Sequence, residues 1–279
     1  MLFGLYGKVL NLTPASKIQY MARTHHRTMT SFYNAWSALD DLEVFMTPGL
    51  HNIQALFTMA ITSIEISRPA LCWSLLSQAA RSAQSLGLHR AKSSSHLPPS
   101  LQRERANLFW LIYTWSNCMA LTFGRPSALP DYDIDLPLPE APHILALITL
   151  AQIQARIYKN MYSASASPSS STVHTLSSAL HDWKSHYLPP PLPTHAPPLA
   201  VFAHLQAHFG YYNSLTLLHR STPPGLSAAR TSIRLILDTV SSHPALADTG
   251  VLLWLFSCYP FTAFFALFRV DGGAQGVGV

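Results

Sequence analysis

Between Ser67 and Glu140 the apolar residues recur every three or four positions, and each run is closed by a glycine. That spacing fits helices and argues against strands, whose apolar residues would alternate. Leu71, Leu75, Ala79, Ala83 and Leu86 make one face of a first helix. Ser67 is its expected N-cap, and Pro69 falls in the first turn, where a missing N–H costs little. Gly87 can take the left-handed conformation that ends a helix, and Leu88 offers the hydrophobic contact that accompanies such a stop. His89 and Arg90 then have two readings: they contact a ligand or partner, or they cap the last carbonyls of the helix.

Pro98, Pro99 and Ser100 break the chain and offer Ser100 as the next N-cap. Leu101, Leu108, Ile112, Trp115, Met119 and Phe123 line one face of a second helix. Phe109 and Trp110 widen that face to almost all-round apolarity, which predicts a central helix. Gly124 stops it and Pro126 prevents its restarting. In the exit, Asp131, Asp133 and Asp135 alternate with Tyr132, Ile134 and Leu136. A cation site would want the glycine and distal glutamate of a calcium loop, and neither is there. The expectation is a solvated strap with its apolar side tucked inward.

Three segments, taken in order, resemble a known family. Ala80-Arg81-Ser82-Ala83-Gln84-Ser85-Leu86-Gly87-Leu88-His89-Arg90 is similar to a signature of the fungal-specific transcription factor domain. That domain is the middle homology, or regulatory, region of binuclear zinc-cluster transcription factors. Leu108-Phe109-Trp110, Tyr113 and Gly124-Arg125-Pro126 follow at the family's spacing, and the strap ending Leu136-Pro137-Leu138-Pro139-Glu140 agrees. Ala106-Asn107 and Ser116-Asn117 depart from the family by removing charge. The family motif residues are therefore Leu86, Gly87, Leu88, His89, Arg90, Phe109, Trp110, Gly124, Arg125 and Pro126, read as fold determinants first.

The remaining runs are helical too. Phe32, Trp36 and Leu39 mark a short helix, and His51 to Ile66 makes another with Ile53, Leu56, Phe57, Ala60, Ile61 and Ile64 inward. Ile144 to Tyr162, Val173 to Tyr187, Leu199 to Arg220, Ser227 to Val240 and Val251 to Phe268 follow. In the Val173 helix the inward residues are Leu176, Leu180 and Trp183; in the Ser227 helix they are Ile233, Ile236, Leu237 and Val240. The fold class is all-α, an irregular bundle of eight to ten helices. One domain spans 1–270, with its motif core at 51–140, later helices at 144–268 and flexible loops at 163–171 and 189–198. Residues 271–279, rich in glycine, are expected to be a disordered tail. The family domain normally continues further, so truncation at both ends is expected.

Charged residues are only 11% of the 279, and the net charge of +5 is scattered. No basic stripe supports direct nucleic-acid binding. The three cysteines, Cys72, Cys118 and Cys258, lie in apolar runs without metal spacing. The zinc cluster through which the family reads DNA needs six, so this chain holds no such module. Cofactors are expected to be none, zinc belonging only to a missing N-terminal cluster. Met1 to Leu12 lacks a basic n-region and a cleavage site, so no signal peptide is expected. Arg23 to Arg27 is too short for a nuclear signal.

Three constellations are weighed for rival functions. His204 and His208 stand four apart, as paired zinc-protease ligands do, but Leu205 replaces the catalytic glutamate. Gly225-Leu226-Ser227-Ala228-Ala229 misses the last glycine of a nucleophile elbow, and Ser227 reads better as an N-cap. Val251 to Phe268 is 18 residues without a charge, the minimum for a membrane span, though Pro260 interrupts it. The expectation is no catalytic residue, no metal ligand, no assigned ligand site and no enzyme; the alternatives are a metal enzyme using the His pair and a membrane-associated helical protein. By resemblance the function is transcription regulation in the nucleus, as the effector-sensing domain of a fungal RNA polymerase II transcription factor. DNA is reached only through the absent module. Partners implied are proteins of the transcription machinery, with a small-molecule effector and a homodimer left open.

Overall fold

A computed structural model of the chain describes residues 48–65, 68–190, 196, 198–220, 222–242, 259 and 262–268. Within these the architecture is all-α: α1 (Leu50–Glu65), α2 (Pro69–Ser85), α3 (Ala91–Ser94), α4 (Pro99–Phe123), α5 (Pro142–Ile157), α6 (Ser170–Tyr187), α7 (Pro198–Leu218), α8 (Pro223–Ser242) and α9 (262–268). No strand occurs among the described residues. The Phe32 helix, the 271–279 tail, most of the 189–198 connector and residues 251–258 lie outside them. No helix among the described residues is long and apolar enough to cross a membrane.

α4 is the central strut. Its 25 residues extend about 37 Å at the usual helical rise. Leu108, Phe109, Trp110, Ile112, Tyr113, Trp115, Cys118 and Met119 enter a first core with α1 and α2, while Leu121 enters a second core built by α5, α6 and α7. That double role is what all-round apolarity dictates. α1 buries Ile53, Leu56, Ala60 and Ile64, the face its periodicity selects. In the second core, α6 inserts Leu176, Leu180 and Trp183. The Trp183 indole donates to the Ala146 carbonyl at 2.8 Å, so its polar edge is satisfied on burial. α5 and α7 approach closely at Gly210, where a Cβ would stand 2.9 Å from Leu150 Cδ2. Beside it Gln154 donates to Ser214 at 3.1 Å.

Several helix starts differ from expectation, and proline explains the pattern. α2 begins at Pro69 with Arg68 as N-cap; Ser67 lies outside the described residues. α4 begins at Pro99, so Ser100 sits inside the first turn instead of capping it. α8 begins at Pro223, four residues before Ser227, which lies exposed within the helix. A proline at the first helical position has no N–H to leave unpaired and a φ already helical, so no side-chain cap is needed. α6 begins at Ser170, not Val173, because Ser169 caps it by accepting from the Thr172 N–H at 3.1 Å. Leu237 is another correction: it is 61% exposed, while Leu235 and Ile236 pack against the first core.

Candidate functional site

The three family-like segments converge on one place, the exit of α2. There the helix ends in a glycine stop. Gly87 has φ +66°, its N–H donates to the Gln84 carbonyl at 2.8 Å, and the Leu88 N–H reaches the Ala83 carbonyl at 2.9 Å. These are the two bonds of a Schellman motif, and Leu88 is buried beneath them. The Leu86 carbonyl is capped from elsewhere: Arg105 of α4 donates to it at 2.9 Å and also to Ser94 Oγ at 2.8 Å.

The side chains of His89 and Arg90 turn away from the last carbonyls of α2 instead of capping them. They hold the acidic strap. Arg90 pairs with Asp133 and stands 3.9 Å from Asp135, and His89 Nε2 lies 3.5 Å from Asp133. The backbone joins in: the Asp135 N–H donates to the His89 carbonyl at 3.2 Å, and the Ala91 N–H donates to Asp135 Oδ1 at 2.8 Å. His89 Nδ1 is buried and has no partner.

α4 supports the strap from below. Trp110 Nε1 donates to the Pro137 carbonyl at 3.1 Å, and the Tyr113 hydroxyl donates to Asp131. Trp110 packs edge-on to both Phe109 and Tyr113, with ring centroids 5.3 and 5.4 Å away. Burial and the Asp131 carboxylate together push the Tyr113 phenol well above its ordinary pKa. Ile134 and Leu136 tuck against the first core, as expected of the strap. Tyr132 does not: it is 91% exposed, at the tip of a single 3-10 turn (Asp131–Asp133) that points it outward.

Gly124 (φ +64°) ends α4 with the same device, the Arg125 N–H bonding the Ala120 carbonyl at 2.9 Å. Arg125 then lays its guanidinium 4.8 Å from the Trp73 ring centroid of α2. Pro126 is exposed. So Leu86, Leu88, His89, Arg90, Phe109, Trp110 and Arg125 join α2, α4 and the strap or fill the core between them, while Gly87, Gly124 and Pro126 shape the helix ends. Sequence reasoning missed Arg105, Tyr113 as the strap's donor and Trp73.

The rival constellations sit elsewhere. His208 Nδ1 lies 2.9 Å from the His204 carbonyl, and the two rings lie tilted by 30° with centroids 4.0 Å apart on α7. Among the described residues no three His, Cys, Asp or Glu side chains gather as metal ligands. The thiols of Cys72 and Cys118 are pushed up to about 12 and about 11 by burial, so both stay protonated near neutral pH. A zinc ligand needs the thiolate. Gly225 serves packing: a Cβ there would lie 2.2 Å from the His219 carbonyl oxygen.

The fold and this interlocked corner define an all-α domain built around one central helix. Residues 12–145, just under half of the chain, match the fungal specific transcription factor domain, and the chain resembles that family. It is 26% identical to an uncharacterized transcriptional regulatory protein of Schizosaccharomyces pombe, over 85% of this chain and 43% of that protein. It is 28% identical to an ABC-transporter-regulating transcription factor of Aspergillus fumigatus, over 84% of this chain and 32% of that protein. With the lactose regulatory protein LAC9 of Kluyveromyces lactis it shares 31% identity over 43% of this chain and 15% of that one. The chain thus spans less than half the length of these curated relatives. No solved structure matches it.

Proposed function

We infer that this chain regulates transcription by RNA polymerase II in a fungal nucleus, as the regulatory domain of a larger assembly. The observation that carries the reading is the interlock of the three motif segments, Leu86–Arg90, Phe109–Tyr113 and the Asp131–Asp135 strap, within the stretch that matches the family. The relatives are named as transcriptional regulators, and the reading takes that role from them. DNA contact belongs to a separate zinc-containing module, since this chain has only three cysteines. The chain itself needs no cofactor and catalyses no reaction.

The strap is the element that such a domain would use. Trp110, Tyr113 and the tucked Ile134 and Leu136 anchor it to α4 and the core. Its hold on the end of α2 is a partly exposed ion pair and bonds at the His89 and Ala91 backbone, so latched and released packings of that edge lie close in energy. A small molecule, a protein of the transcription machinery or a second copy of the chain that binds one packing better shifts the balance. The test tethers the chain to an unrelated DNA-binding module at a reporter promoter in a fungal host. Reporter transcript should differ from that of the DNA-binding module alone. Arg90→Ala and Asp133→Asn should shift it further at equal protein level. Output equal to the module alone for all three chains would overturn the reading.

A further inference from the structure

The corner where the end of α5, the start of α6 and the end of α7 meet is rich in hydroxyls and cations and free of carboxylates. A five-residue π turn, Tyr158–Tyr162, leads out of α5 into the serine-rich segment. No Asp or Glu occurs in residues 157–181 or 217–237, while Lys159, His174, His219, Arg220, Arg230 and Arg234 do. Tyr162 donates to the Leu217 carbonyl at 2.6 Å, and Arg220 also interacts with the Tyr162 hydroxyl. An open cavity of about 460 Å³ is lined there by Pro168, Ser169, Ser170, His174, Ser177 and His219.

Within the serine run only Ser167 is followed by a proline. Ser163 bonds the Lys159 carbonyl and Ser165, while Ser169 engages Ser171 and Thr172 as it caps α6. Ser167 is exposed and its hydroxyl makes no hydrogen bond among the described residues. It lies in irregular chain directly before Pro168, which biases it to extended backbone. An extended, exposed serine followed by proline is the form in which a proline-directed kinase takes its substrate.

We propose that Ser167 is a phosphorylation site and that the carboxylate-free corner receives its phosphate. The Ser167 oxygen attacks the γ-phosphorus of a nucleoside triphosphate held by a proline-directed kinase. The new O–P bond forms as the bond to the β,γ-bridging oxygen breaks; the nucleoside diphosphate leaves, and the hydroxyl proton passes to the kinase's base. The product carries nearly two negative charges, which seek charge-assisted bonds. Arg220 supplies a permanent cation with the planar fork that suits phosphate. His219, whose pKa burial lowers and whose Nε2 lies 2.8 Å from Ser177 Oγ, gains a reason to take up a proton. The phosphate thereby ties the start of α6 to the end of α7.

The 279-residue chain and its Ser167→Ala variant are incubated with a proline-directed serine kinase and ATP, and the sites are located by tandem mass spectrometry. Phosphate is expected on Ser167 and absent from that position in the variant. In the phosphorylated chain the His219 imidazole, followed by NMR, should titrate at higher pH. Its thermal midpoint should rise by about 2–4 °C. Thr13, Thr47 and Thr222 also precede prolines, so phosphate confined to them would overturn the proposal. So would phosphate on Ser167 that leaves both the His219 titration and the melting midpoint unmoved.

Discussion

Arg90 pairs with Asp133, 43 positions further along the chain, and so closes the acidic strap over the end of α2. Their side chains are 45% and 37% exposed, which sets how much the pair is worth. Partly exposed pairs contribute about 0.5–1 kcal/mol and are screened by salt. A double-mutant cycle with Arg90→Ala and Asp133→Asn, read by urea unfolding, should give a coupling in that range. It should shrink between 50 mM and 1 M salt. A coupling near zero at low salt would mean the two groups do not meet in solution.

The two left-handed glycines should respond unequally to alanine. At Gly124 a Cβ meets nothing within 4 Å, so Gly124→Ala carries only the backbone penalty, about 1–2 kcal/mol. At Gly87 the same Cβ would also stand 3.0 Å from Ser93 Cβ. Gly87→Ala is expected to cost more, and adding Ser93→Gly should recover part of the excess. Equal unfolding free energies for the two single variants would refute the packing half of this account.

Gly225→Ala should be the most damaging of the glycine changes. Its Cβ would lie 2.2 Å from a backbone carbonyl oxygen, that of His219, and backbone cannot rotate away as a side chain can. The expected loss exceeds about 3 kcal/mol, the upper range of ordinary substitutions. Circular dichroism melting of the purified variant checks it; an unchanged midpoint would show that α7 and α8 meet more loosely than this.

Stability should fall as the solution is acidified below about pH 6.5, the ordinary histidine value. Burial lowers the pKa of both His208 and His219, and Lys184 adds repulsion at His208. The unfolded chain then binds more protons than the folded one between the ordinary and the lowered values, so folding weakens as pH drops through that window. Melting midpoints from pH 7.5 to 5.0 should decline, and less steeply in a His208→Gln, His219→Gln double variant. A flat profile in the parent chain would contradict the burial of these rings.

What the sequence by itself determined is local. The 3.6-residue period of Leu71, Leu75, Ala79 and Ala83 allows a helix with one buried face. The absence of a Cβ lets Gly87 and Gly124 stop helices in a left-handed turn, and Leu88 had to be covered. Those properties depend on a residue and its near neighbours, so spacing reveals them. Where α8 starts was misjudged because Pro223 and Ser227 both signal a helix start, and neighbours alone do not rank them. Only the tertiary structure decided that His89 and Arg90 face Asp133, that Arg105 caps the Leu86 carbonyl, that Tyr132 points to solvent and that Gly225 sits against His219. Apart from the exposure of Tyr132, each joins segments whose meeting is set by how the helices pack. That arrangement follows from packing two cores around one strut, a long-range balance that no single run of residues contains.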